Sequence, residues 1–440
     1  MADLSGTSGV HVDPASWSPA VPRPASRVPA LLLAMVSIGL LLRRDPELPA
    51  AIVTLGVLAR GTALRRPLTV RYLWWAAGCL LLGMLGAIVG HPFPAGLALV
   101  VAAIVVCLPT PPPPAATPTE RSRVVELLAS SSGDALAPFV LRTDKAMVFS
   151  PGGGAVLGYR VRFGIAVAGG DPVGLPEQAP AAIAEFVRVA EANGWRPAVL
   201  GAGPASAKLW RGHGLRGVPI GRDVVIDVGS FTLQGRRFRN LRQAVHRASN
   251  AGMTVQVAAE QDLPTADRAE LTALVLASTK NTGRGFAMIL DGLLDGSQPH
   301  TVLTIGRGPD GKVVAFQRYG VAGGGTDLAL DVPWRRHGTG IGGMDERMVA
   351  ETVGWAARHG GQRVSLAFAA FPELFDDHHG LRRRLAYRLV RSLDGLIRLE
   401  SLFRFLRKFS AFGPPRSVLF RPLALVPVLA ALLTLEFSGS

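Results

Sequence analysis

The sequence predicts an N-terminal α-helical transmembrane segment followed by a mixed α/β (α+β) domain made of two related halves. Three observations point to this fold class. The first 120 of the 440 residues contain long apolar runs with few charges. After a proline-rich spacer, strand-like and helix-like periods alternate along the chain. An internal echo of eighteen residues indicates a repeated α/β unit.

The apolar runs predict about four membrane spans within residues 28–108. Each run is shorter than the ~20 residues of a straight membrane helix, so flanking residues would have to contribute. The alternative is a set of buried helices in a soluble domain. The N-terminus has neither a basic region before an apolar run nor a small-residue cleavage site, so we do not expect a removed signal peptide. We expect residues 1–27 to be disordered. The runs are residues 28–42, 48–59, 72–89 and 93–108.

Arginine placement predicts the orientation of these spans. Two arginines precede the first run and four lie between the second and third, whereas the other connections have little net charge. Because cytoplasmic loops are rich in Lys and Arg, we expect a multi-pass protein of the cell membrane with its large C-terminal domain in the cytoplasm. The six residues are Arg23, Arg27, Arg60, Arg65, Arg66 and Arg71.

Charge and cysteine content restrict the function of the large domain. The net charge is +15, and a basic domain beside an anionic leaflet is expected to meet lipid headgroups or nucleic acid. The two cysteines, Cys79 and Cys107, both lie in apolar runs. Disulfides and cysteine–zinc sites are therefore excluded from the rest of the chain.

The proline-rich linker, residues 109–120, marks the start of the α/β domain. We predict a first half over residues 121–250 and a second half over residues 251–416, ending in a basic helix. Residues 185–202 and 351–368 match at five of eighteen positions with the same order of helix, glycine and strand. Residues 417–440 form an apolar C-terminal segment, in which Leu423–Leu435 is predicted to be a helix packed on the domain or lying at the bilayer.

The stretch of residues 326–368 is the first candidate for a site. Its first seven residues alternate like a strand, a glycine-rich loop follows, and a helical stripe begins at Met344. Such a loop offers backbone N–H groups and a helix N-terminus to an anion or a polarised carbonyl. Asp331, Arg335 and Arg336 stand at the end of the strand, where open α/β sheets bind ligands.

Two basic segments are further candidates for function, and the first of them for binding a polyanion. Residues 235–247 contain five arginines and His246, a pattern that also fits a solvated helix face. Residues 391–416 mix apolar and basic residues in the pattern of a basic amphipathic helix. Such a helix fits a core helix, a helix at a membrane surface, or one wall of a site. The run Asp376-Asp377-His378-His379 is interpreted as a solvated loop, because four adjacent side chains cannot all reach one ion. We expect no metal and no cofactor.

Several blocks between about residues 140 and 416 occur in the order typical of one family. The chain resembles the C-terminal synthase domain of the phosphatidylglycerol lysyltransferases, the bifunctional membrane proteins of multiple peptide resistance. The blocks are Gly170–Gly174, Ile220-Gly221, Phe231, Leu233 and Gly235 with Leu241-Arg242, Gly285–Met288, Leu328–Asp331, Asp345-Glu346, Lys408-Phe409 and Pro415-Arg416.

The resemblance implies a tandem GNAT-like acyltransferase domain that moves an aminoacyl group, lysyl in the family, from aminoacyl-tRNA to phosphatidylglycerol. It also implies anionic membrane lipids as partners and a part in antimicrobial peptide resistance. Two departures stand out. The family tends to have Asp-Leu-Met-Arg where this chain has Asp331-Val332-Pro333-Trp334, so the arginine comes one position later. About four spans suggest a membrane anchor and not a lipid-translocating module.

The resemblance and the residues together suggest a set of site residues. We expect Asp331 to act as a base or to hold the substrate ammonium, with a helix-capping carboxylate as the alternative. The arginines and glycines that follow Asp331 are expected to face a phosphate or a developing oxyanion. Two C-terminal cations, Arg404 and Lys408, are expected to bind the tRNA 3′ end or the lipid phosphate. The candidate catalytic residues are Asp331, Arg335 and Arg336; the candidate binding residues are Gly338, Gly340, Gly342, Asp345, Glu346, Arg242, Arg404, Lys408 and Asp171.

Two other functions fit the same sequence. The segment Arg335–Gly340 has the pattern R-x-x-G-x-G that GNAT acyltransferases use for coenzyme A, so an acyl-CoA-dependent transferase is one alternative. The other is a membrane protein without catalytic activity that binds anionic lipid or RNA through residues 235–247.

Overall fold

The structure is a computed structural model of the whole chain. It describes residues 33–35, 37, 48–63, 70–88, 93–277, 290–298, 300–336, 338–370 and 399–437. Three sequence motifs lie outside these residues: Gly285–Met288, His337 and Asp376–His379.

Between residue 48 and the linker, the structure describes three apolar helices: α1 (Leu48–Ala63), α2 (Val70–Ile88) and α3 (Phe93–Val106). They have 16, 19 and 14 residues, which at 1.5 Å per residue gives about 21 to 29 Å, less than the ~30 Å of a bilayer core. Among the helices that the structure describes, none combines the length and the hydropathy needed to cross a bilayer. The prediction of four spans is therefore not supported there, and most of the first run lies outside the described residues.

The linker is tied to the first half by hydrogen bonds. The backbone carbonyl of Thr110 accepts a hydrogen bond from the indole N–H of Trp195 at 2.9 Å. The backbone N–H of Thr110 donates to the carbonyl of Asn193 at 3.1 Å. Helix α4 (Pro118–Ser130) then begins with a capping box, in which Thr117 and Glu120 satisfy each other's backbone N–H groups. The spacer therefore has a defined path.

In the first half, six strands and two of the helices pack around an aromatic core. The strands are β1 (Ala146–Phe149), β2 (Ala155–Arg162), β3 (Ile165–Gly169), β4 (Val173–Gly174), β5 (Arg196–Ala202) and β6 (Arg216–Asp227). The helices are α5 (Ala179–Ala192) and α6 (Pro204–Gly212). Phe186 on α5 packs edge-on against Tyr159 and Trp210, with ring centroids 5.4 and 5.6 Å away.

The second half repeats this arrangement. Its strands are β7 (Thr254–Ala259), β8 (Thr301–Arg307), β9 (Val313–Ala322), β10 (Asp327–Arg335), β11 (Arg363–Ala370) and β12 (Phe412–Phe420). The helices described between β6 and β12 are α7 (Arg239–Asn250), α8 (Thr265–Ala277), α9 (Met344–Arg358) and α10 (Leu399–Arg407). Helix α11 (Leu425–Phe437) follows β12 and packs Val428, Ala431 and Leu435 against Ile165 and Val167 of β3.

The twelve described strands form one sheet, and the two halves exchange their last strands. The order is β1-β2-β3-β5-β12-β6-β11-β10-β9-β8-β7, with β4 paired to β2. Strand β6 is the last strand of the first half but pairs with β11 of the second, whereas β12 is the last strand of the second half and pairs with β5 of the first. Strands β12 and β6 pair with each other at the centre. Each half is therefore completed by a strand from the other.

The repeat predicted from the sequence echo has a clear structural counterpart. Strand β3 continues through α5 into the parallel strand β5, and β10 continues through α9 into the parallel strand β11. The two echo segments are the helix ends and second strands of these units. The predicted mixed α/β fold of two related halves is confirmed, whereas the exact domain boundaries stay predictions.

The start of α9 depends on a glycine, which provides the first test. Gly343 has φ 89°, and a Cβ on it would lie 2.1 Å from the carbonyl oxygen of Ala244 on α7. We predict that Gly343→Ala lowers the free energy of unfolding by more than about 2 kcal/mol, because left-handed strain and a backbone clash add together.

The matched control is Gly340→Ala. Gly340 is also left-handed, with φ 69°, but has open space around its Cα, so only the ~1–2 kcal/mol of backbone strain is expected. Denaturant unfolding followed by circular dichroism measures both variants. Equal losses would contradict the close packing of α9 on α7.

Candidate functional site

The sheet opens between β10 and β11. These parallel strands pair only from Asp327 with Arg363 to Ala329 with Ser365. Beyond that point β10 pairs with β9 and β11 pairs with β6. The equivalent strands of the first half, β3 and β5, stay paired over all five residues of β3. The second half therefore has a wedge between its central strands, where β10 and β11 no longer pair each other's backbone groups.

A β-bulge at Asp331 marks the start of the wedge. Leu330 pairs with Tyr319 and Val332 with Arg318, so Asp331 is an extra residue in β10. An extra residue reverses the alternation of side chains that follow it. Trp334 consequently stacks on Phe316, with centroids 5.4 Å apart, while Arg335 reaches Asp345 at the start of α9.

Asp331 is held in a buried ion pair. Its Oδ2 accepts a hydrogen bond from Arg318 Nε at 2.5 Å, and its Oδ1 accepts the backbone N–H of Leu290 at 2.7 Å. The side chains of Arg318 and Asp331 have no exposed surface. Burial raises the pKa of Asp331 to about 6, although Arg318 opposes the shift.

The same arginine also binds the segment that lies over the bulge. Arg318 donates to the carbonyl oxygens of Leu290, Asp291 and Gly292 at 3.0, 3.2 and 3.1 Å. The pair with Asp331 therefore fastens residues 290–292 to β10. The structure does not bring Asp331 into contact with the arginines that follow it.

Four of the predicted site residues do meet at the mouth of the wedge. Arg335 Nη1 lies 3.6 Å from Asp345 Oδ2, and Lys408 Nζ lies 2.5 Å from Glu346 Oε1. The Arg335 side chain is 56% exposed, whereas that of Glu346 is 8% exposed. Burial raises the pKa of Asp345, and the adjacent Glu346 raises it further while Arg335 lowers it. We call these four residues the charged quartet.

A polar chain supports the quartet from the sheet. Gln317 Nε2 lies 3.5 Å from Asp345 Oδ1, and Tyr319 donates its hydroxyl to Gln317 Oε1 at 2.8 Å. Tyr319 is fully buried, and burial raises the pKa of its hydroxyl well above the usual value. Gln317 and Tyr319 carry no local sequence signal for a site, and only the strand pairing of β9 with β10 reveals them.

The glycine loop lies between β10 and α9. Gly338 and Gly340 both adopt left-handed φ angles, and nothing lies within 4 Å of a Cβ placed on either. A Cβ on Gly342 would lie 3.7 Å from Arg247 Nε on α7. Arg336 is exposed, and its backbone N–H donates a hydrogen bond to the carbonyl of Val314 at 2.8 Å. The loop and the first turn of α9 therefore border the wedge beside two arginines.

The other predicted binding residues have different positions. Arg242 on α7 donates to the carbonyls of Leu233 and Gly235 at 2.7 and 3.4 Å, so it stabilises the turn before α7. Arg404 is exposed on α10, one turn before Lys408. Within the described residues no group of side chains suits a metal ion.

Asp171 lies at the junction of the halves, in a cluster around Arg416 of β12. Arg416 contacts Asp134 at 2.5 Å, Asp223 at 2.7 Å and Asp171 at 3.2 Å. Asp171 also accepts the backbone N–H of Gly203 at 3.0 Å. Burial and the like charge of Asp134 raise the pKa of Asp171 to about 6. Asp171 and Pro415-Arg416 were predicted from the sequence, whereas no sequence pattern indicates Asp134 or Asp223 as partners of Arg416.

Comparison with known proteins gives matches over most of the chain. A family model described as phosphatidylglycerol lysyltransferase, C-terminal, matches residues 125–418. An MprF-like domain protein of Mycobacterium tuberculosis is 43% identical over 390 residues, 86% of this chain and 80% of that protein. The lysylphosphatidylglycerol biosynthesis bifunctional protein LysX of Rhodococcus jostii is 33% identical over 346 residues. The aligned region is 77% of this chain but only 30% of LysX.

Two solved structures share the fold. The C-terminal domain of a protein assigned as a lysylphosphatidylglycerol synthetase in Agrobacterium fabrum aligns with a TM-score of 0.62 at 21% identity. The structure of L-PGS from Bacillus licheniformis aligns with a TM-score of 0.59 at 17% identity. Each alignment covers 73% of this chain and 98% of the other. The resemblance found in the sequence is confirmed, whereas the roles of the individual site residues stay predictions.

The cluster around Arg416 predicts a pH dependence of stability. The pKa of Asp171 is about 6 in the folded chain and near 3.9 in an unfolded one. The folded state therefore keeps a proton that the unfolded state loses. The stability that this proton contributes is complete below about pH 4 and is lost as the pH rises through about 6.

We predict that Asp171→Asn, which cannot ionise, becomes more stable relative to the wild type as the pH rises from 4 to 7. Denaturant unfolding across this range measures the difference. Asp310→Asn, in an exposed turn, is the control and should follow the wild type. A constant difference between Asp171→Asn and the wild type would contradict the prediction.

Proposed function

We infer that this chain, which belongs to the phosphatidylglycerol lysyltransferase C-terminal family, transfers an aminoacyl group from aminoacyl-tRNA to phosphatidylglycerol. Lysyl is the group that the family name implies. The observation that carries the proposal is the charged quartet at the mouth of the wedge between β10 and β11. Its two carboxylates, Asp345 and Glu346, can bind an ammonium group of the substrate. Its two cations, Arg335 and Lys408, can bind a phosphate or stabilise an oxyanion.

The reaction needs positioning more than covalent chemistry. Aminoacyl-tRNA is an activated ester, so a lipid hydroxyl can attack its carbonyl carbon directly. The new ester bond forms as the bond to the tRNA 3′ oxygen breaks, and the proton of the lipid hydroxyl is passed to that leaving oxygen. The site must hold both substrates, assist this proton transfer and stabilise the oxyanion.

We assign roles to the site residues on this basis. Asp345 and Glu346 hold the ammonium groups of the aminoacyl donor. Arg335 and Arg336, with the backbone of Gly338, Gly340 and Gly342, face the oxyanion and the terminal phosphate of the tRNA. Lys408 and Arg404 border the 3′ end. Asp331 acts as a positioning residue, because its enclosed pair with Arg318 sets the bulge that brings Arg335 to the wedge.

The basic face of α7 supports RNA as the donor. On α7, Leu241, Ala244 and Ala248 are buried, while Arg239, His246 and Arg247 are exposed; Arg236, in the turn just before the helix, is exposed as well. Helix α7 packs directly on the start of α9, where Gly343 approaches Ala244. A polyanion bound along this face therefore reaches the glycine loop and the quartet.

Apolar surface supports a lipid acceptor and a location at the membrane, with the α/β domain on the cytoplasmic side. Trp74, Leu82 and Ile88 on α2 are 76%, 70% and 75% exposed. Val426 at the start of α11 is 76% exposed. Large apolar side chains with this exposure fit a bilayer interface, where tryptophan is enriched. We propose that these helices keep the domain beside anionic lipid.

The acyl-CoA-dependent transferase is a second candidate, favoured by the loop Arg335–Gly340. Its two left-handed glycines lie just before a fifteen-residue helix, a geometry that suits a pyrophosphate. Purified protein distinguishes the donors. Transfer of labelled lysine from charged tRNA that is abolished by ribonuclease supports our proposal, whereas ribonuclease-resistant transfer from an acyl-CoA supports the alternative.

Mass spectrometry of lipid extracts tests the function in cells. Expression in a host that lacks aminoacylated phosphatidylglycerol should add a lipid heavier by one aminoacyl group. We predict that Arg335→Ala lowers this product, and kcat/KM in vitro, by about 100-fold or more, because a cation facing the transition state is lost. Arg358→Ala, at the exposed far end of α9, is the control. Equal activity of Arg335→Ala and the control would remove Arg335 from the mechanism.

The RNA face gives a separate prediction. The triple variant Arg236→Gln, Arg239→Gln and Arg247→Gln should weaken tRNA binding and reduce the slope of log K against log salt by about 2 to 3. A matched triple variant at Lys208, Arg211 and Arg216 removes three exposed cations from the first half. Binding measured by fluorescence anisotropy at several salt concentrations compares the two. Equal losses would mean that α7 is an ordinary solvated face.

A further inference from the structure

Strand β9 buries three polar side chains in a row. Gln317, Arg318 and Tyr319 are each no more than 1% exposed. Because side chains alternate along a strand, Arg318 points to one face of the sheet, where it binds Asp331, and the other two point to the opposite face, towards α9. A buried polar group is costly unless it is hydrogen-bonded. A strand that served only for packing would have apolar side chains at Gln317 and Tyr319.

The two residues form a directed chain of hydrogen bonds that ends at Asp345. Tyr319 donates its hydroxyl to Oε1 of Gln317 at 2.8 Å. The amide nitrogen Nε2 of Gln317 lies 3.5 Å from Oδ1 of Asp345. An ionised carboxylate can only accept hydrogen bonds, whereas the two ends of an amide are a donor and an acceptor. The amide therefore stabilises the Asp345 carboxylate only when its nitrogen, and not its oxygen, faces Asp345.

The hydroxyl of Tyr319 favours that orientation of the amide. Burial raises the pKa of Tyr319 well above its usual value, and a hydrogen bond with Thr352 opposes only part of this shift. The hydroxyl therefore keeps its proton throughout the physiological pH range and can donate it to Oε1. If the amide turned over, its oxygen would leave this donor and would face the carboxylate of Asp345, so that two acceptors would oppose each other.

The ionisation of Asp345 depends on groups from four places in the chain. Burial raises its pKa, and Glu346 beside it on α9 raises it further, whereas Arg335 on β10, Gln317 on β9 and Lys408 after α10 lower it. Neither cation holds Asp345 closely. Arg335 Nη1 lies 3.6 Å away, beyond the usual length of a hydrogen bond, and Lys408 contacts Glu346 at 2.5 Å. The direction in which the Gln317 amide points therefore matters for the charge of Asp345.

We propose that Tyr319 is a positioning residue for aminoacyl transfer, which orients the Gln317 amide so that Nε2 faces Asp345 and keeps this carboxylate ready for an ammonium group of the donor. Tyr319 and Gln317 are both buried, so they act on the substrate only through Asp345. The inference deepens the proposed function, on which the role of Asp345 towards the ammonium rests. The orientation of the amide does not depend on that role and can be tested without turnover.

The pKa of Asp345 in the full chain tests the proposal. An NMR titration of protein labelled with ¹³C at the aspartate carboxyl groups follows each carboxylate, and Asp345→Asn identifies the signal. Tyr319→Phe removes only the hydroxyl. It should raise the pKa of Asp345 by about half a unit to one unit, because the amide nitrogen is no longer held towards the carboxylate. An unchanged pKa would overturn the proposal.

Tyr159 of β2, in the first half, provides the matched control. Its hydroxyl is also buried, but it has no hydrogen-bond partner among the described residues. Tyr159→Phe should therefore leave the pKa of Asp345 at the wild-type value. A shift as large as that of Tyr319→Phe would show that the loss of any core hydroxyl perturbs the site, and the proposal would be overturned.

A second substitution tests whether Tyr319 acts through Gln317. Gln317→Met keeps the approximate size of the side chain and removes the amide, so it should raise the pKa of Asp345 at least as much as Tyr319→Phe does. In the Gln317→Met background, Tyr319→Phe should have no further effect on this pKa, because no amide is left to orient. Equal shifts in the two backgrounds would mean that Tyr319 acts by another route, which contradicts the proposal.

The pH dependence of turnover separates a positioning role from a merely structural one. The kcat/KM for lysyl transfer should fall as the pH drops through the pKa of Asp345, because a protonated carboxyl group cannot pair with an ammonium. In Tyr319→Phe this fall should begin at higher pH, with little change in kcat/KM above it. A loss that is equal at every pH would indicate a structural role for Tyr319 and would overturn the proposal.

The two kinds of measurement distinguish this inference from the proposed function. If Tyr319→Phe raises the pKa of Asp345 but the wild type forms no aminoacylated lipid, the proposed function fails and the orienting role of Tyr319 stands. If the wild type forms the lipid and Tyr319→Phe leaves the pKa of Asp345 unchanged, the function stands and the inference fails.

Discussion

The buried ion pair of Arg318 and Asp331 stands at the point where β10 and β11 separate, and the candidate site depends on it. Two fully enclosed charges are costly unless their remaining hydrogen bonds are satisfied. Here Arg318 donates to three carbonyls and Asp331 accepts a backbone N–H, so the pair is fully bonded. Its position fixes the bulge, and the bulge determines which face of the sheet Arg335 occupies. Without it, Trp334 and not Arg335 would point towards α9.

A second constraint joins the halves. Because β6 and β12 are exchanged, neither half has a complete sheet by itself. Arg416 on β12 reinforces the exchange by binding carboxylates that precede β1, follow β3 and lie on β6. The first half keeps β3 and β5 paired and has no wedge, so it serves as a platform for the second half.

Part of this arrangement could be predicted from the sequence, and the rest depends on contacts that local patterns do not reveal. Alternation at residues 326–332 and the helical stripe from Met344 predicted β10 and α9, because both signals are local. The echo indicated the repeated unit. The bulge was not predictable, since Asp331 continues a regular alternation and only its partner Arg318, thirteen residues earlier, explains it. The strand exchange and the cluster around Arg416 depend on pairings across some 200 residues. The membrane spans were predicted from apolar runs whose described helices are shorter than a bilayer requires.

The central claim is that acyl transfer takes place in the wedge of the second half and not in the corresponding position of the first. Hydrogen–deuterium exchange of the full chain with a non-hydrolysable lysyl-adenosine amide, a mimic of the charged tRNA end, tests it most directly. Our account predicts slower exchange of backbone amides in residues 330–346, where β10 leaves β11 and α9 begins. Slower exchange in residues 165–202 of the first half, with none in the second, would contradict it.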